Sequence, residues 1–167
     1  MSIAFKAMQF AVEAHKDQRR KYTGVPYWSH LAEVAGIVST VAGSFINVSE
    51  LIAAAWLHDC VEDQGVTEET LKSEFGIWIA EGVMLLSDLE TGNRAERKAA
   101  SRARLGDAPG WVQTVKVADL ISNTSSIVMH DPKFAVTYLE EKRLLLDVLT
   151  RADPRLVEIA RQQARAA

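Results

Sequence analysis

The chain has 167 residues, 25% charged and 48% hydrophobic, with a formal net charge of −3. That length suits one domain with a full core, and the mild acidity gives no bulk electrostatic reason to expect a nucleic-acid partner. A lone cysteine, Cys60, rules out an internal disulfide and agrees with a reducing compartment.

The N-terminal segment lacks a signal-peptide apolar run and carries Lys6, Glu13 and Lys16. Ile3, Ala7, Phe10, Ala11 and Ala14 recur at helical spacing and predict an amphipathic helix over 2–17. Residues 17–27 are basic, contain Gly24 and Pro26, and read as a loop. A second helix is expected over 29–42, with Gly43 closing it. Ser49 is the expected N-cap of a third, over 50–63. Its centre, Ile52 to Leu57, is apolar on all sides, so this helix should be central and buried. The apolar stretch from Leu51 to Leu57 is far too short to cross a bilayer. Thr67 is the expected cap of a short helix ending at Gly76, and Ile77 to Leu86 starts another. Residues 90–107 are polar and basic, with Arg94, Arg97, Lys98, Arg102 and Arg104. Pro109 opens a helix to about residue 128. Asp131-Pro132 and Asp153-Pro154 open two more. No strand alternation, repeat or linker competes. The expected fold is all-α: one domain over 1–167, a soluble cytoplasmic bundle of about eight helices.

The densest chemistry is His58-Asp59-Cys60-Val61-Glu62-Asp63, at the end of the apolar third helix. On a continuous helix, His58 and Glu62 would share one face, and Asp59 and Asp63 another. Buried carboxylates are costly unless paired or metal-bound. For an isolated His-Asp dipeptide, ordinary helix-end polarity is the better reading. Two further residues change the balance. His30 follows the Pro26-Tyr27 turn, and Asp119 sits inside the apolar run Val115 to Ile121, with Asn123 one turn on. Two imidazoles and two carboxylates suit Mn²⁺, Fe²⁺ or Zn²⁺ (or Co²⁺) better than a structural thiolate site.

His30, His58-Asp59 and Asp119 match the H…HD…D order of the HD-domain phosphohydrolase superfamily. Further segments are similar to its alarmone-hydrolase branch, related to the RelA/SpoT hydrolase domain. Ala14-His15 to Lys21, then Pro26-Tyr27 to His30, resembles A-H-x-x-Q-x-R-K…P-Y-x-x-H. Ala54 to Asp63 resembles A-A-x-L-H-D-x-V-E-D, and Phe75-Gly76 follows in place. Glu96-Arg97-Lys98 resembles E-R-K, and Val115 to Asn123 resembles V-K-L-A-D…N. The likeness covers roughly residues 5–150 and leaves no room for a synthetase or regulatory domain, so the expected type is the small stand-alone hydrolase of the metazoan SpoT homologues.

The resemblance implies an HD-type helical bundle that removes the 3′-pyrophosphate of (p)ppGpp with one Mn²⁺ ion. His30, His58, Asp59 and Asp119 would hold the metal, which would acidify a water and polarise the phosphoryl group. Glu62 and Asp63 match the catalytic E-D pair that orients or deprotonates the attacking water. A second metal at Glu62 and Asp63 is the minor alternative. Arg20, Lys21, Lys98 and Arg102 would clamp phosphates. Asn123 would contact the ribose or bridging phosphate, and Tyr138 matches a ligand-contacting aromatic. The implied partner is a small nucleotide, with no nucleic acid or membrane, and a homodimer is left open.

The chain departs from the pattern at two places. Tyr22 stands where relatives often carry a cation; it would stack on a purine or face solvent. Leu120 replaces the cation after the aspartate, and Thr124-Ser125-Ser126 is unusually small and polar. (p)ppApp, or NADPH with its 2′-phosphate, therefore stays beside (p)ppGpp as a substrate. Another nucleotide phosphatase and a low-turnover sensor or antitoxin-like binder are the alternatives. His15 reads as packing against the first helix or near the site, and His130 as a turn residue. Trp28, Trp56, Trp78 and Trp111 read as core or pocket wall. A thiol ligand from Cys60 stays open.

Overall fold

In the computed structural model, which describes residues 1–166, backbone contacts divide the chain into two units, Met1–Ser87 and Asp88 onward. Ten α-helices and one short 3-10 turn are found among the described residues; the sole β pairing there is an isolated bridge, Arg19 to Pro26.

The first unit is built round α3 (Val48–Leu57), against which α1 (Ile3–Ala14), α2 (Trp28–Ser39) and α6 (Ile77–Leu86) pack. Leu51, Ala53, Ala54, Ala55 and Leu57 are buried, as an all-round apolar helix requires. The small alanines let neighbouring helices approach closely. Asn47, not Ser49, precedes the first turn, so the expected cap lies two residues too late. Thr67 does cap α5 (Glu68–Phe75): its hydroxyl accepts from the Thr70 N–H.

The expected helix over 50–63 is broken, which accounts for much of the excess over the eight helices expected. α3 stops at Leu57, His58 closes it, and α4 (Cys60–Gln64) starts afresh after Asp59, whose backbone sits at φ −102° and ψ −2°. Gly65 ends α4 in the left-handed region that a glycine enters without a Cβ clash. His58 and Glu62 therefore do not share a face of one helix. Adjacent residues of a regular helix do not face each other, and the break lets His58 and Asp59 do so.

The second unit centres on α8 (Gly110–His130), packed by α9 (Pro132–Leu146) and α10 (Pro154–Ala166), with α7 (Arg94–Asp107) against α8 and α9. The basic stretch is thus a helix. Its start is a reciprocal capping box between Asn93 and Glu96, a signal that the charged composition obscures. Asp131 caps α9 with Pro132 in its first turn, as expected. His130 is the last residue of α8 rather than a turn residue, its Nδ1 2.9 Å from the Ser126 carbonyl. Trp28 is 39% exposed and so is no core residue. No helix among the described residues is long and apolar enough to cross a membrane.

Candidate metal centre

The loop before α2 brings Tyr27 and His30 to the end of α3. It folds back on itself through Arg20 N–H to Val25 carbonyl and Tyr27 N–H to Gln18 carbonyl bonds, both 2.9 Å. Gly24 sits between them at φ +70°, a turn that favours glycine. His30 lies in the first turn of α2, buried, its ring edge-on to His58 at 5.3 Å.

Two imidazoles of this unit converge on one carboxylate oxygen. His58 Nε2 lies 3.0 Å and His30 Nε2 3.5 Å from Asp59 Oδ2, and the Tyr27 hydroxyl donates to the same oxygen at 2.7 Å. His58 Nδ1 lies 2.8 Å from the Ala55 carbonyl, which can only accept, so the imidazole proton is assigned to Nδ1. In the neutral ring, Nε2 then presents a lone pair to a carboxylate oxygen. Two acceptors at that distance repel unless a cation or proton stands between them, and imidazole fixed from its far nitrogen is the usual state of a metal ligand. The donor set fits a divalent metal ion.

Glu62 and Asp63 are exposed on α4. Asp63 accepts from Gln18 Nε2 at 2.9 Å. Cys60, next to Asp59, is fully buried, and burial, aided by the charges of Asp59 and Asp63, pushes its thiol up. Lys21 stands over the Tyr22 ring at 5.0 Å. Arg20 is half-buried in the loop.

In the second unit, Asp119 lies mid-α8, 7% exposed. Lys116 donates to its Oδ2 at 2.9 Å and Asn123 to its Oδ1 at 2.7 Å, the i−3 and i+4 neighbours on one face. Lys98 pairs with Asp88 at 3.3 Å, and Arg104 bonds both Asp88 and Glu90. Burial opposes ionisation of Asp88, but Lys116, Ser101, Lys98 and Arg104 hold its carboxyl down at about 2. Arg102 is half-exposed on α7. Tyr138 turns its hydroxyl inward to the Leu120 carbonyl at 3.2 Å, and burial pushes its phenol up.

In the first unit His30 and His58 are buried candidate metal ligands, and in the second Asp119 is a buried candidate. The HD-domain family profile matches residues 7–109. The zebrafish guanosine-3′,5′-bis(diphosphate) 3′-pyrophosphohydrolase MESH1 is 36% identical over 123 residues, 73% of this chain and 67% of that protein. The chain belongs to the HD-domain phosphohydrolases. A probable enzyme of the same name from Synechocystis is 33% identical over 77% of this chain, which spans 17% of that longer protein. Among solved structures, a metazoan SpoT orthologue that hydrolyses ppGpp superposes with a TM-score of 0.88 at 23% identity, covering 99% of this chain and 96% of that one. At that identity the likeness establishes the HD-domain fold.

Sequence reasoning missed two residues of this HD-domain centre, Tyr27 and Gln18. Both stand in the segment that carries the family resemblance. Their partners Asp59 and Asp63 are 32 and 45 residues away, which no spacing rule connects.

Proposed function

We propose that this HD-domain chain hydrolyses the 3′-pyrophosphate of an alarmone nucleotide, (p)ppGpp or (p)ppApp, releasing pyrophosphate with one Mn²⁺ ion. The observation that carries it is the meeting of the His30 and His58 nitrogens at Asp59, next to the Glu62-Asp63 pair, in a chain whose zebrafish relative is named for that reaction. His30, His58, Asp59 and Asp119 would hold the ion. When bound, it supplies positive charge that acidifies the attacking water and polarises the phosphoryl group. Glu62 takes the water's proton and Asp63 orients the water, both on a helix whose exposed face admits substrate. Lys21, Arg20, Lys98 and Arg102 supply charge to the phosphates, and Asn123 reaches the ribose side. On this reading residues 1–167 act as one hydrolase domain on a small nucleotide in the cytoplasm, without nucleic acid or membrane.

Tyr138 is the weakest of the assigned contacts, because its hydroxyl is engaged by Leu120. Purine stacking on Tyr22 competes with Lys21, which already covers that ring. The test is a panel of ppGpp, ppApp and NADPH with Mn²⁺, products resolved by ion-exchange chromatography. Pyrophosphate from either alarmone is expected. Orthophosphate from NADPH alone would replace the reading with a nucleotide phosphatase, and tight nucleotide binding without product would replace it with a sensor.

A further inference from the structure

His15 and Gln18 have no part in the chemistry above, yet the fold joins them to it. Gln18 Nε2 donates to Asp63 Oδ2 at 2.9 Å. Its Oε1 meets His15 Nδ1 and Gln64 Nε2, each at 2.6 Å. An ionised carboxylate can only accept, so the amide NH₂ must face Asp63 and the amide oxygen must face His15. His15 therefore carries its proton on Nδ1. Its other nitrogen agrees: Nε2 is buried without a hydrogen-bond partner, and a neutral imidazole has a single N–H to place.

The surroundings hold this arrangement from several sides. His15 is fully buried at the end of α1 and stacks on the Tyr27 ring, centroids 5.2 Å apart and planes 18° from parallel. The Gln18 backbone is tied to the His15 carbonyl at 3.1 Å and to the Tyr27 N–H at 2.9 Å. Fixing a glutamine side chain costs rotamer freedom, so such immobilisation needs several bonds to offset it, and Gln18 has them.

We propose that Gln18 is the positioning residue of Asp63, its amide held in one sense by His15 and Gln64 so that its N–H fixes the carboxylate that orients the attacking water. This rests on the reading of Asp63 as a catalytic group. The test uses the full chain with ppGpp and Mn²⁺, following pyrophosphate release in Gln18→Leu, Gln18→Glu, Asp63→Asn and Gln18→Leu/Asp63→Asn. Gln18→Glu keeps the acceptor for His15 and Gln64 but sets a carboxylate against Asp63, and it serves if the leucine variant folds poorly. Both Gln18 variants should lose about 10–100-fold in kcat, the usual size for a group acting through another, with KM within about twofold and bound Mn²⁺ unchanged. In the Asp63→Asn background, Gln18→Leu should cost nothing further, because the group it positions is already gone. Additive losses, or wild-type kcat in both Gln18 variants while Asp63→Asn is slow, overturn the proposal alone. Full turnover by Asp63→Asn, or none by the wild type, overturns the underlying reading and this proposal with it.

Discussion

Two buried or half-buried aspartates sit in opposite surroundings. Asp59, in the first unit, is approached by two imidazole nitrogens and a phenol. Asp119, in the second, is approached by an ammonium and an amide. The second environment stabilises an anion by itself. The first sets the His58 lone pair against an anion to which Tyr27 donates, an arrangement that is favourable once a cation is present. The difference teaches that a cation would relieve the electrostatics of the histidine-bearing unit more than those around Asp119.

The sharpest way to break that comparison is to separate metal binding from proton transfer. Asp59→Ala should lose bound Mn²⁺ and turnover together, to background. Glu62→Ala should keep the metal and lose roughly 10²–10⁴-fold in kcat, the range for a removed general base. Metal analysis beside single-turnover kinetics checks both. A Glu62→Ala protein with normal kcat would show that the catalytic assignment is wrong.

A smaller effect tests the phenol. Tyr27→Phe keeps the ring stacked on His15 and removes the hydroxyl from Asp59. Mn²⁺ affinity should fall about 10–100-fold, as for other groups that hold a ligand in place. Titration of the apo protein with Mn²⁺ would read it. An unchanged affinity would mean that the hydroxyl does nothing for the ligand.

The candidate metal-ligand residue types stand out in the sequence because each is chemically out of place: a histidine after a turn, a His-Asp pair ending an apolar helix, an aspartate within Val115–Ile121. The α3 core was legible because its apolar residues cover every face. The break at His58-Asp59 was not, since no Gly or Pro marks it and the residues on both sides favour helix. The α7 helix was hidden for the opposite reason: its charges read as loop, while the deciding feature is the local Asn93–Glu96 box. The Gln18 and Tyr27 roles depend on tertiary contacts alone.

The second unit carries its own buried charge, and that extends the comparison from metal to pH. Lys142 is 1% exposed, with its ammonium donating to Thr124 Oγ1 at 2.7 Å and Gln163 Oε1 at 2.8 Å, so it joins α9 to α8 and α10. Neither partner is charged, and burial pushes the ammonium down to about 8 from 10.5. The unfolded chain therefore binds more protons than the native one between those two values, and stability rises with pH across that window. Below pH 8 the full cost of the buried charge is present; by pH 10.5 most of it is relieved. Between pH 7 and 9 the gain from this group should be about 1 kcal/mol. Denaturant unfolding of the wild type and Lys142→Met over that range isolates it, because other titrating groups are common to both. The difference between the two proteins should shift toward the wild type as pH rises. A pH-independent difference would mean that Lys142 stays charged in the native state as readily as in the unfolded chain, and that its two hydrogen bonds compensate its burial without help from a metal or a counter-ion.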